Sequence, residues 1–125
     1  MRLPFTTLAA ALLGAALLAT PPALSHHSFA MFDSAREVTL AGTVREFQWT
    51  NPHSWLQLEV HSGGATIEYS IELGSPNSMS RRGWKRTTFK PGDKVTAVIN
   101  PMRDGSPGGA LVHATDPQGK RWAWR

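Results

Sequence analysis

The residues with the clearest chemical potential are two adjacent histidines, His26 and His27. Cleavage of the chain just before His26 would give that residue a free α-amine beside its own ring nitrogen, and His27 adds a second imidazole. An amine and an imidazole on one residue form a chelate ring with a metal, and such ligands suit copper, which binds most tightly among the divalent first-row ions. The α-amine has an ordinary pKa of about 7.7–8.0, so a metal displaces its proton at little cost near neutral pH. The pattern therefore predicts a copper site at the mature amino terminus.

A third nitrogen ligand is predicted at His53, in the loop that follows the turn signal Asn51-Pro52. His61 cannot replace it in the same site, because the strand between the two histidines separates them by about 26 Å. The alternative is that His26 and His27 form a solvated chain end and that His53 is an exposed turn residue.

Residues 1–25 have the composition of a secretory signal peptide. Arg2 supplies a positive start, and residues 8–19 form an apolar run of 12 residues, which is too short to cross a bilayer comfortably. Small residues at the positions that a signal peptidase recognises predict cleavage of the Ser25–His26 bond. The mature chain is then residues 26–125, a single domain in the periplasm or outside the cell, with no integral membrane segment.

Apolar and polar residues alternate through most of the mature chain, which predicts a β domain. The pattern indicates three strands, one short helix at roughly residues 76–82, two more strands and a short last one. Gly42, in a first strand from Glu37 to about Trp49, predicts a bulge or bend. This order predicts an all-β fold, a five- to six-stranded, partly open OB-like barrel with the helix between strands three and four. A two-sheet sandwich is the alternative that periodicity leaves open.

The ligand face of an OB-like barrel is formed by strands two and three together with two loops, here residues 50–54 and 101–109. Aromatic rings beside a cation can stack on a sugar or a base, and this face contains such residues. Four residues are predicted to form it: Trp49, Asn51, Trp55 and Arg103. They support a second hypothesis, an interaction module that binds a partner protein or an oligosaccharide without a metal.

Four further residues carry expectations about packing. Ile67 is expected to face the core of the barrel, because it alternates with polar residues in the third strand. Trp84 is expected to fill one end of the barrel, and the same is expected of Trp49 if it does not belong to the ligand face. Trp122 and Trp124 are expected to lie on a frayed tail.

Composition excludes several classes of function. Removal of residues 1–25 takes away Arg2 and leaves 12 Lys and Arg against 9 Asp and Glu, a net charge of +3. Such a mild charge does not predict a nucleic-acid partner. The chain has no cysteine, so disulfides and thiolate metal sites are excluded. No nucleophile or phosphate-binding motif is present, so we predict no catalytic residues and expect a binding protein rather than an enzyme.

Several short motifs together resemble one protein family. They are His26-His27-Ser28-Phe29, Gly42-Thr43-Val44, WTNPHSW at residues 49–55, Gly83-Trp84, Lys90-Pro91-Gly92-Asp93, and Asn100-Pro101 followed by RDGSPGG at residues 103–109. The combination is similar to small exported bacterial proteins of a domain-of-unknown-function family, number six thousand one hundred and fifty-two. The resemblance covers essentially the whole mature chain. It implies export and a single β domain, and it carries over no catalytic residues.

Overall fold

The computed structural model describes residues 29–124, which form six strands and two short helices. The elements are a 3-10 helix (Phe29–Met31), β1 (Val38–Gln48), β2 (Trp55–Ser62), β3 (Ala65–Glu72), α1 (Pro76–Ser80), β4 (Lys94–Pro101), β5 (Gly108–Thr115) and β6 (Arg121–Ala123). β1 lies between β2 and β4, the outer neighbours are β3 and β5, and a parallel pairing of β3 with β5 closes a five-stranded barrel. β6 extends the sheet beyond β5. The predicted OB-like barrel is confirmed, and its closure rules out the two-sheet sandwich.

β1 takes part in both halves of the barrel by changing partners near its middle. Residues 38–43 pair with β4, and residues 43–48 pair with β2. The change occurs beside Gly42, where a Cβ atom would lie 2.5 Å from the carbonyl oxygen of Glu59. The register shift follows immediately, between Val44 and Glu46. A glycine is needed here because the neighbouring backbone approaches too closely for any side chain.

The inward faces of the strands form one continuous hydrophobic core. Its fully buried members come from every strand of the barrel and from α1, and they include Val44, Leu56, Leu58, Ile71, Leu73, Met79, Ile99 and Leu111. Ile67 is an exception, since 36 % of it is exposed although we expected it to face the core. β5 pairs only with the last part of β3, residues 70–72, so the outer part of β3 extends past the closed barrel.

α1 plugs one end of the barrel, and local interactions set both of its limits. Ser75 caps the start, because its Oγ accepts a hydrogen bond from the Ser78 amide, and Pro76 follows it. The helix ends two residues earlier than expected, in a turn where Gly83 has a φ of 86° and the Trp84 amide donates to the Met79 carbonyl at 3.1 Å. Within residues 29–124, no helix has both the length and the apolar character that a membrane span requires.

The predicted short last strand is confirmed, whereas the frayed tail expected for Trp122 and Trp124 is wrong. β6 pairs with β5, and the Trp122 indole donates a hydrogen bond of 2.9 Å to the Asp116 carboxylate. This bond is the main reason that the pKa of Asp116 is below its ordinary value. The Trp124 ring lies directly over Gly74, where any side chain would collide with it. The two indoles cover the edge of the core. β6 has only three residues, so its sequence pattern is too short to predict this packing.

The lead-in segment, residues 29–37, is hydrogen-bonded to the end of β4. Phe32 is 5 % exposed and forms a bridge with Met102. The Asp33 amide donates to the Pro101 carbonyl at 2.8 Å. The buried Asn100 side chain donates to a lead-in carbonyl, that of Arg36, at 2.7 Å. These contacts fix where the chain enters the domain, beside the loop that joins β4 to β5.

Candidate functional site

His53 lies in the loop between β1 and β2, and its backbone is held from both sides. The Thr50 hydroxyl donates to the His53 carbonyl at 2.8 Å, and the peptide bond between Asn51 and Pro52 is cis. Ser54 and Leu73 continue the pairing of β2 with β3 beyond the strand ends, through a 2.9 Å bond from the Leu73 amide to the Ser54 carbonyl. The loop is thereby joined to the end of β3.

The His53 ring is oriented through its Nδ1 atom. Nδ1 lies 3.2 Å from the Leu73 carbonyl oxygen and 3.2 Å from Oε1 of Glu72. A carbonyl oxygen can only accept a hydrogen bond, so Nδ1 carries the proton and the lone pair resides on Nε2. A histidine held in this way by a carboxylate or a carbonyl is the usual form of a metal-binding histidine. The same contacts would also suit a purely structural histidine, so orientation alone does not identify a metal site.

His53 lines a cleft of about 310 Å³ on the outer face of the barrel. Trp55 and Glu72 form its wall, and Met31 of the lead-in segment reaches it from the other side. A small adjoining cavity is lined by His53 and Glu72 together with Phe29, the first described residue. The lead-in segment therefore brings the start of the described chain to the His53 ring.

The four residues predicted for a partner face are only partly brought together. Asn51 and Trp55 both line the cleft beside His53. Trp49 instead packs against the core, with its ring 5.8 Å from that of Phe47 in an edge-on contact. Arg103 is engaged with the lead-in segment, because its Nε donates to the Ala30 carbonyl at 2.9 Å.

The amino-terminal half of the predicted copper site, His26 and His27, lies outside the described residues. Within residues 29–124, no cluster of three or more His, Asp or Glu side chains could hold a metal ion. Of the three predicted ligands, His53 is therefore the one that can be described.

The other two described histidines are separate from this cleft. His61 is exposed at the opposite end of β2, where its Nδ1 lies 2.8 Å from the Thr66 hydroxyl. His113 is half-buried on β5, and its Nδ1 lies 3.0 Å from the Arg121 guanidinium. Desolvation, and then the positive charge of Arg121, lower the pKa of His113.

Sequence reasoning missed Glu72, although a signal for it existed. The Ser62-Gly63-Gly64 turn sets Ser62 opposite Ala65, and the same register places Trp55 opposite Glu72 at the other end of the hairpin. Met31 and Met102 are too far apart in sequence for their spacing to predict a cluster, yet both line one cleft beside the lead-in segment.

Ser54, next to His53, has an Oγ atom that is fully buried without a hydrogen-bond partner. A buried hydroxyl without a partner destabilises a fold by about 1–3 kcal/mol. We expect Ser54→Ala to leave the free energy of unfolding unchanged or to raise it, measured by urea denaturation. The control is Ser75→Ala, which removes the cap of α1 and is expected to cost about 1 kcal/mol. A clear loss of stability in Ser54→Ala would show that its hydroxyl makes a bond.

Comparison with known proteins identifies a family. The model described as "Family of unknown function (DUF6152)" matches residues 15–112, a range that contains His26, His27 and His53. No match was found among curated proteins or among solved structures. The chain belongs to this family.

Proposed function

We propose that this member of a family without a described activity is an exported copper-binding protein, with His26, His27 and His53 as its ligands. The observation that carries the proposal is the position of Phe29, which lines the same cavity as His53 and Glu72. The role that fits such a site is carriage or buffering of the metal. A signal peptide over residues 1–25 and a periplasmic or secreted location are part of the proposal, supported by the composition of that segment.

Chain connectivity supports the participation of both terminal histidines. His26 is three residues before Phe29, and three residues span at most about 11 Å when fully extended. Phe29 itself directly precedes a segment that is fixed, because the Arg103 amide and side chain donate to the carbonyls of Met31 and Ala30. A terminal amine at His26 would thus lie within about 11 Å of Phe29, and little chain entropy would be lost when the ligands meet.

The orientation of His53 supports the same site. Its protonated Nδ1 faces Leu73 and Glu72, so Nε2 is the atom with the lone pair that a metal requires. The Glu72 carboxylate, which is only 11 % exposed, would also hold the bound imidazole in this orientation. An amine and imidazoles provide nitrogen ligands that favour copper(II) over calcium or magnesium.

The proposal is tested by altering the amino terminus alone. The mature protein beginning at His26 is compared with a version that carries Gly-Pro before His26, in copper(II) titrations monitored by calorimetry and electron paramagnetic resonance. The extension moves the amine away from the His26 ring, and its proline has no amide N–H that could supply a replacement ligand. We expect one-to-one binding with nitrogen hyperfine structure in the mature protein and a loss of at least about tenfold in affinity in the extended one. Equal affinities would refute a site that uses the terminal amine.

A second candidate is an interaction module for an oligosaccharide or a partner protein. It is favoured by the cleft of about 310 Å³, which Trp55 and Asn51 both line. Small-molecule sites have volumes of about 300–1,000 Å³. Retention of the metal-free protein on an oligosaccharide array, abolished by Trp55→Ala, would support this function over copper binding.

A further inference from the structure

We propose that the same face contains a second set of donors, Met31, Met102 and His53, which binds copper in its reduced, copper(I) state. The inference deepens the proposed copper function, on which it rests for the identity of the metal. Its donors all belong to the described residues, whereas the copper(II) site depends on the amino terminus.

Two adjoining clefts share Met31, and each of them contains one further donor. Met31 lines the larger cleft together with His53, and it also lines a neighbouring cleft of about 170 Å³ together with Met102. Trp55 and Glu72 line both clefts and form their common wall. Met31 is therefore the residue that links the thioether of Met102 to the imidazole of His53.

Backbone pairing fixes the two methionines relative to each other. Phe32 forms an antiparallel bridge with Met102, and the Arg103 amide donates to the Met31 carbonyl at 2.9 Å. The lead-in segment at Met31 and the loop segment at Met102 are thus paired through their backbones. This arrangement requires only flexible side-chain rotations to bring both sulfur atoms to one ion.

Exposure distinguishes Met31 from an ordinary packing residue. A methionine that fills a gap in a core is buried, as Met79 is at 0 % exposure. Met31 is 45 % exposed, and Met102 is half-buried. A soft ion in these clefts could use their thioethers as donors.

The chemistry of the set favours copper(I) over copper(II). Thioethers are soft and uncharged ligands that select copper(I), whereas amine nitrogens suit copper(II), and imidazole serves both. The Glu72 carboxylate in the common wall supplies negative charge close to the bound cation. His53 is shared, so one ion would exchange nitrogen for sulfur partners according to its oxidation state. The protein would then retain copper in both states.

Methionine methyl groups provide a direct test that needs no variant. The mature protein from His26 onward contains three methionines, Met31, Met79 and Met102, and each ε-methyl group can be labelled with carbon-13. Silver(I), a redox-inert substitute for copper(I), is added and the methyl signals are followed by NMR. We expect the Met31 and Met102 signals to move together with a one-to-one endpoint, while the buried Met79 signal stays in place. Unmoved Met31 and Met102 signals would overturn the proposal.

A double variant, Met31→Leu with Met102→Leu, tests the affinity. Met-to-Leu changes conserve volume and usually cost less than about 1.5 kcal/mol of stability, and Met79→Leu serves as the control. In anaerobic competition with bicinchoninate, we expect the double variant to lose at least about tenfold in copper(I) affinity. Its copper(II) affinity should stay within about twofold of the original. An unchanged copper(I) affinity would overturn the inference.

The same preparations distinguish failure of this inference from failure of the proposed function. Copper(II) binding that depends on His26, without any effect of the methionines on copper(I), refutes the thioether set and leaves the terminal site intact. Copper(I) binding that depends on Met31 and Met102, in a protein that does not bind copper(II), supports the thioether set and refutes the terminal site.

Discussion

Replacing His53 with alanine is expected to weaken copper(II) binding by more than the roughly 10- to 100-fold that the loss of an outer-shell partner costs. The proposed site would lose its one ligand from the folded domain, and His26 and His27 would remain as a chelate without support from the barrel. The nitrogen hyperfine pattern should change accordingly. His53 is half-buried on a loop, so the domain itself should remain folded. Competition titration and electron paramagnetic resonance measure both effects.

Two companion variants make this prediction specific. His61→Ala removes an exposed histidine at the opposite end of β2 and should leave copper(II) affinity unchanged. Glu72→Gln keeps the shape of the side chain that faces His53 Nδ1 and should give an intermediate loss of about tenfold. The site is refuted if His53→Ala and His61→Ala change the copper(II) affinity by the same factor.

Different parts of this site are accessible to sequence reasoning to different degrees. His53 is predictable, because a histidine after an Asn-Pro turn stands out in a loop. Glu72 is predictable in principle from the register of the hairpin, since a two-residue turn fixes every opposite pair. The contribution of the Leu73 carbonyl is not predictable, because every residue has a carbonyl and only the three-dimensional path of β3 selects this one.

The barrel can be predicted from short-range sequence patterns, whereas the segments that pack over it cannot. Alternation within strands and the position of one helix are local properties, and together they predict the order of the elements along the chain and an OB-like barrel. The lead-in segment is held by bonds such as that from Asn100 to the Arg36 carbonyl, between residues far apart in sequence. Ile67 was placed wrongly for a related reason, because alternation does not show where β5 stops covering β3. Contacts between residues far apart in sequence produce no periodic pattern of apolar and polar residues.

Trp84→Ala is expected to lower the free energy of unfolding by about 3–5 kcal/mol, the typical cost of removing a large buried aromatic side chain. Trp84 is 2 % exposed, and its ring centroid lies 5.4 Å from that of Trp122 and 5.7 Å from that of Phe89. Its indole also donates to the Ala123 carbonyl at 3.1 Å, a bond that alanine cannot replace. Because domains are stable by only about 5–15 kcal/mol, this one change would remove a large share of the total.

The loss of stability in Trp84→Ala should also affect the candidate site, because Trp84 supports the elements that surround His53. Its bond to Ala123 holds β6, and the following Trp124 covers Gly74 and lines the cavity beside His53. Urea denaturation monitored by circular dichroism measures the stability, and Trp55→Ala, at a half-exposed position in the cleft, is the control with the same change of residue type. A cost in Trp84→Ala no larger than that in Trp55→Ala would contradict a central structural role for Trp84. A large cost, together with weaker copper binding at temperatures where the variant is still folded, would show that the plugged end of the barrel also positions the metal-binding histidine.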